Sequence, residues 1–183
     1  MSFLRSLEPE AGLLQIFQAF PEVTRPLIEY HEVLLRGDSP FCAAERELIA
    51  AYVSGLNNCN YCHAVHSQTA ITLGIRPDLI PQLLKNSQLE DVDPRMRPVL
   101  AFVRKLTLSP DKITAADVDP IYAAGWDDRA ILHSTSICAL FNLMNRLVNG
   151  LGVEEAESYT KLAAQRLAQN GYAQLLNFLP ATR

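Results

Sequence analysis

The residues of this chain best equipped for chemistry lie in one run, Asn58-Cys59-Asn60-Tyr61-Cys62-His63-Ala64-Val65-His66-Ser67. Two cysteines stand three residues apart and two histidines follow. At about 100° per residue, a helix places Cys59, Cys62, His63 and His66 on one face, with Cys62 and His66 neighbours at i,i+4. The start of a helix presents unpaired N–H groups and the positive end of its dipole. That setting favours thiolate over thiol, and a CxxC pair there falls from a pKa of about 8.5 toward about 7. Such a fall is worth about 2 kcal/mol. The dipole supplies part of it and a neighbouring imidazole the rest. A thiolate with a base one turn away is an activated nucleophile. A second thiol within reach closes a sulfenic acid to a disulfide before further oxidation. Cys59, nearest the helix start, is expected to be the more exposed sulfur, open to an incoming reductant.

Glu47 lies upstream of the pair, beside Leu48, Ile49, Ala50 and Ala51. An inward-facing carboxylate there would orient an imidazole and stabilise its charged form. On a solvated face it would pair with Arg46 or another base instead. Two other chemistries fit parts of the run. Cys59-Asn-Tyr-Cys62-His63 is a literal haem-attachment pattern, but haem attachment goes with export, and residues 1–8 carry no apolar stretch with a cleavage site. Cys59, Cys62, His63 and His66 could hold zinc, but a structural zinc usually draws half of its ligands from a distant segment. Cys42 and Cys138, lone on apolar stretches, read as packed small hydrophobes rather than such ligands. His31 and His133 read as a surface and a helix-packing histidine. Asn142, Asn145 and Asn149 form a polar stripe that either satisfies buried groups or a subunit contact, or lines a substrate pocket. Trp126, next to Gly125, reads as an anchor holding a turn against the core.

Helical spacing of apolar residues runs through the whole chain, and alternation is hard to find. Ser39-Pro40 reads as an N-cap and first helical residue, opening a helix that carries Glu47 and ends near Ser54. Asn58 can cap the next, from about Cys59 to Leu73. Further helices are expected over 10–20, 22–35, 77–85, 94–108, 114–124, 127–149, 154–170 and 172–179, with Asn86–Asp93 as a surface connection. The expectation is an all-α bundle, about two-thirds helical. The helix over 128–149 has apolar residues around most of its circumference, which calls for burial on all sides. A weak echo links Glu45-Arg-Glu-Leu-Ile with Asp128-Arg-Ala-Ile-Leu, and Leu73-Gly-Ile with Leu151-Gly-Val, and offers a division into two similar halves.

The 183 residues suit a single domain. Hydrophobic residues at 49% and charged residues at 20% are ordinary for a globular chain. A net charge of −4 without a basic block argues against nucleic acid as a partner. No apolar run approaches the roughly 20 residues of a membrane span, and the expected location is the cytoplasm, where thiols stay reduced. No nicotinamide or flavin fingerprint appears, so electrons must come from another protein or a small thiol.

Glu47 followed by Cys59-x-x-Cys62-x-x-x-His66 resembles the signature of the alkylhydroperoxidase D (AhpD)-like, carboxymuconolactone decarboxylase superfamily. Asp117-Val-Asp-Pro, Ala124-Gly-Trp-Asp-Asp and Phe141-Asn-Leu-Met-Asn-Arg are similar to its peroxidase-related branch. The resemblance covers about residues 20–155. It implies an AhpD-like helical bundle, a homo-oligomer (trimer or hexamer), and thiol-dependent reduction of hydroperoxides with no bound cofactor or metal. By the same resemblance, Cys62 becomes the sulfenic acid. Cys59 donates a proton and closes the redox-active disulfide, and His66 and Glu47 form the proton relay. The resemblance also suggests a dithiol reductant carried on a lipoylated protein. AhpD has a histidine between its cysteines where this chain has Tyr61, which cannot serve as a base near neutral pH. The decarboxylase branch generally lacks paired cysteines, which disfavours that activity. The alternative is a redox-sensing protein whose disulfide changes its oligomer or partner binding without significant turnover.

Overall fold

The computed structural model describes residues 2–86, 92–154 and 157–181. The elements run α1 (Leu13–Ala19), α2 (Pro21–Leu35), α3 (Ala43–Leu56), α4 (Asn60–Thr72), α5 (Leu79–Asn86), α6 (Met96–Leu108), a 3₁₀ turn (Pro110–Lys112), α7 (Ala115–Ala123), α8 (Asp128–Gly150), α9 (Glu157–Asn170) and a 3₁₀ helix (Ala173–Phe178). The fold is all-α, with no strand among the described residues. No helix among them is long and apolar enough to cross a membrane.

The centre of the bundle is α3. From Arg46 to Ser54 every one of its residues is buried, so neighbours must close on it from all sides. It packs against α4, α5, α6 and α8, and α4 packs in turn against α9. Sequence periodicity assigns that central place to α8, and the structure corrects it. Ser134 and Asn145 of α8 face inward with Ile137, Phe141, Met144 and Val148. Leu132 and Leu143 are left 63% and 47% exposed. The buried stripe of α8 follows what α3 can cover, and two polar residues take places on it.

The start of α3 also differs from expectation. Ser39 Oγ accepts from Phe41 N–H at 3.2 Å, but the helix begins only at Ala43, with Cys42 as N-cap. Phe41 is buried against the Trp126 ring, 4.8 Å between centroids. Glu45 reaches back to the Cys42 N–H at 2.7 Å, which satisfies a first-turn donor. Cys42 is therefore an exposed cap and not a packed hydrophobe, while Cys138 is buried as expected. Trp126 anchors its turn, donating from Nε1 to the Arg95 carbonyl at 2.7 Å.

The segment expected as a helix over 172–179 is a 3₁₀ helix instead. Glu32 Oε2 accepts from the N–H groups of Tyr172 and Ala173, at 2.6 and 2.9 Å, and this clamp sets the tight first turn. Gly171 precedes it at φ +68°, and a Cβ there would lie 2.7 Å from the same Glu32 oxygen. The Leu-Gly-apolar echo has a local cause. Ile75 N–H bonds to the Ala70 carbonyl and Val153 N–H to the Val148 carbonyl, with Gly74 and Gly152 at positive φ. Both are the same glycine-centred helix stop. The first closes α4 and the second closes α8 itself, so the echo marks unlike units. Residues 87–91, most of the expected connection Asn86–Asp93, lie outside the described residues.

Candidate active site

The α3–α4 corner sets the site. Asn58 adopts φ +53°, a left-handed conformation that asparagine tolerates. Cys59, not Asn58, is then the N-cap of α4. Its sulfur faces the Cys62 N–H, and its pKa is brought down to about 7. The Cys62 thiol hydrogen bond contributes most; burial opposes it; the Cys62 N–H and the Asn145 amide add to it. Cys62 is pushed far up by its hydrogen bond to Cys59 and by burial. The two thiols titrate as one pair, with Cys59 the lower and Cys62 the higher of the two. Both are buried, Cys59 at 0% and Cys62 at 2% exposure. The expectation of an exposed Cys59 sulfur is thus corrected, because an N-cap side chain folds back onto the first turn.

Asn145 does for the sulfurs what the sequence assigns to the imidazole. It is buried on α8, accepts from Asn57 Nδ2 at 2.9 Å and donates to Ser54 Oγ at 3.0 Å. Of the asparagine stripe, Asn142 joins it by accepting from Asn57 at 3.1 Å, while Asn149 is exposed. Replacing Asn145 with alanine should raise the first thiol titration by about one unit, the worth of one hydrogen bond to a charged group. Thiolate ultraviolet absorbance followed against pH measures it; an unmoved midpoint would remove Asn145 from the account.

His66 turns toward α3. Its Nδ1 lies 2.7 Å from Glu47 Oε2. A carboxylate only accepts, so Nδ1 carries the proton. Glu47 is fully buried, which excludes the solvated alternative. Its base is Arg36 rather than Arg46: Arg36 Nη2 donates to Oε1 at 2.6 Å, whereas Arg46 donates to the Leu34 and Gly37 carbonyls. Tyr172 Oη also donates to Oε1 at 2.8 Å and stands 3.3 Å from His66 Nδ1. Burial pushes the Glu47 carboxyl up, but the His66 hydrogen bond and the Arg36 charge outweigh it and hold it below the usual carboxylate range. His63 faces the other way, with Nδ1 on the Ala51 carbonyl at 3.0 Å. The four-ligand zinc set is therefore split, and no group of three metal-ligating side chains occurs among the described residues.

Arg36 and Tyr172 are the members that sequence reasoning missed. Arg36 ends α2 and Tyr172 follows Gly171, both far in sequence from the cysteines, with no spacing to tie them to Glu47. His31 is a correction: it is buried and not at the surface. Its Nδ1 meets the Leu27 carbonyl at 2.7 Å, and burial brings its pKa down to about 4. Between pH 6.5 and about 4 the unfolded chain takes up a proton that the native His31 refuses. Stability should fall with pH there by about 3 kcal/mol in all. Urea midpoints at pH 7 and pH 4.5 should separate more for the wild type than for His31→Asn; equal separations would count against this.

A mostly apolar cleft opens over the relay. Its empty volume is about 830 Å³ with its open mouth included. Tyr61, Val65 and His66 of α4 form one wall, and His31 and Met144 also line it. The Tyr61 ring stacks toward Tyr159 at 6.3 Å. Burial, then Tyr159, pushes its hydroxyl far up, so it stays protonated.

The carboxymuconolactone decarboxylase family matches residues 21–105, the stretch holding Arg36, Glu47, both cysteines and His66. No curated protein matches the chain. Solved structures do. A peroxidase-related protein from Ralstonia eutropha JMP134, described as an alkylhydroperoxidase AhpD core, is 26% identical, with 82% of this chain and 78% of that one covered at a TM-score of 0.74. A peroxidase-related protein from Silicibacter sp. TM1040 is 23% identical, with 87% and 94% covered at 0.72. The debrominase Bmp8, in complex with 2,3,4-tribromopyrrole, is 15% identical, with 81% and 79% covered at 0.69. The last two likenesses are of fold.

Proposed function

For a chain with the AhpD-like fold and a carboxymuconolactone decarboxylase family segment over residues 21–105, we propose thiol-dependent reduction of organic hydroperoxides. The observation that carries this reading is the sulfur pair at the start of α4, with Cys59 near pKa 7 and a buried Glu47–His66 pair one turn beyond it. Cys62 attacks the terminal peroxide oxygen as its proton passes to the Cys59 thiolate. The O–O bond breaks, the leaving alkoxide takes up a proton, and Cys62 is left as sulfenic acid. Cys59 then attacks that sulfur, forming the disulfide and releasing water. An external dithiol restores both thiols by exchange. In sum, one hydroperoxide and one dithiol become an alcohol, water and a disulfide. Glu47 is a positioning residue, fixing the tautomer of His66.

The reductant in this reading is a dithiol, and a lipoylated protein suits it. The exposed Leu132 and Leu143 of α8 support assembly as a homo-oligomer, a trimer or hexamer by the resemblance, and reduced thiols suit the cytoplasm. Steady-state assays of several hydroperoxides with several dithiols test the reading, which expects many turnovers per chain. The burial of both sulfurs and the tyrosine between them favour one alternative, a redox sensor. A single stoichiometric oxidation with a change in oligomer size would establish that alternative instead.

A further inference from the structure

The cleft over His66 has a polarity the reaction itself does not require. Leu13, Phe17, Ile28, Met144, Leu167 and Leu175 give it an apolar interior. Among the described residues its lining holds no Asp or Glu, and its one residue of permanent charge is Arg166 on α9. Arg166 is exposed, and among the described residues its guanidinium has no carboxylate partner. Tyr159, Ala163, Arg166 and Leu167 share the α9 face that lines the cleft. The interior has the area to take an alkyl chain or ring out of water. An arginine in the lining without a carboxylate partner is suited to a carboxylate, which a guanidinium can hold by two parallel hydrogen bonds.

We propose that this cleft binds amphipathic monocarboxylates, with the apolar body inside and the carboxylate on Arg166. Resting on the hydroperoxide reading above, this narrows the substrate class to hydroperoxides of carboxylic acids with a long apolar body, the peroxide group lying toward His66. A neutral hydroperoxide of the same size uses the apolar walls alone and binds more weakly.

The test separates binding from turnover. Calorimetric titration of the whole chain uses octanoate and octanol as unreactive probes. Wild-type protein is expected to bind octanoate at least about tenfold more tightly than octanol. Arg166→Gln brings octanoate to the level of octanol and leaves octanol unchanged. Ala163→Phe, which narrows the cleft from the same helix face, weakens both probes. Equal wild-type affinities, no binding of either probe, or octanoate affinity unchanged in Arg166→Gln would each overturn the proposal. Thermal midpoints of both variants confirm that they fold. Assays then compare a fatty-acid hydroperoxide with its methyl ester: the KM advantage of the acid should vanish in Arg166→Gln. Arg166-dependent octanoate binding without peroxide turnover would sink the hydroperoxide reading and leave the cleft assignment standing. Turnover indifferent to Arg166 would do the reverse.

Discussion

Cys62→Ser is expected to lower hydroperoxide turnover at least about a thousandfold, because it removes the sulfur that takes the peroxide oxygen in the proposed reaction. Cys59→Ser should fail differently. Without its proton acceptor it reacts more slowly, leaves a sulfenic acid on Cys62 that a dimedone-type reagent traps, and then stops for want of a partner sulfur. The asymmetry follows from the helix start. Cys59 is the N-cap and the lower of the two thiols, near pH 7; Cys62 lies one turn before His66 and, in the proposed reaction, gives its proton to Cys59. Mass spectrometry of the trapped adduct reads the assignment directly. A sulfenic acid on Cys59 in Cys62→Ser would exchange the two roles, and unchanged turnover in Cys62→Ser would end the thiol mechanism.

Glu47→Gln should cost both stability and activity. The carboxylate holds His66, Arg36 and Tyr172 at once, and its removal leaves the largely buried Arg36 charge uncompensated. Breaking such a pair from one side typically costs about 3–5 kcal/mol, which a urea midpoint at pH 7 would register. Turnover should fall by about a hundredfold as His66 loses its fixed tautomer. Pairing the change with Arg36→Met tells the two effects apart: most of the stability returns, while the activity does not. Recovery of both would reduce Glu47 to a structural counterion. The pH dependence has a definite direction. The folded carboxyl titrates below its unfolded value, so its stabilisation is full at neutral pH and is lost only as acid protonates it in the fold.

The sequence makes the bundle and the sulfur pair legible because both rest on short-range rules. Helix stops at Gly74, Gly125 and Gly152 and the CxxC run at a helix start need no knowledge of partners. Glu47 was legible as far as its apolar neighbours allow, since inward orientation follows from the company it keeps in α3. The identity of its base was not. Arg36 comes from the end of α2 and Tyr172 from the segment after α9, and only packing brings them to one carboxylate. The same limit explains His31, whose burial depends on Phe141 and Tyr172 closing over it. The start of α3 departs from its local signal for a subtler reason: Ser39-Pro40 is a sound cap, but Phe41 packs against Trp126 and the helix waits for Cys42, whose backbone is extended.

The family-matching stretch, residues 21–105, encodes the sulfurs, the imidazole and the carboxylate. Much of the surface facing the cleft's contents, from Met144 and Tyr159 to Arg166, Tyr172 and Phe178, comes from the chain beyond it. The sulfurs and much of the surface around the cleft are therefore written in different stretches of one gene. In the hydroperoxide reading, mutation beyond residue 105 can remodel what enters the chamber while the sulfur pair is left intact, so one thiol chemistry can be fitted to many organic molecules.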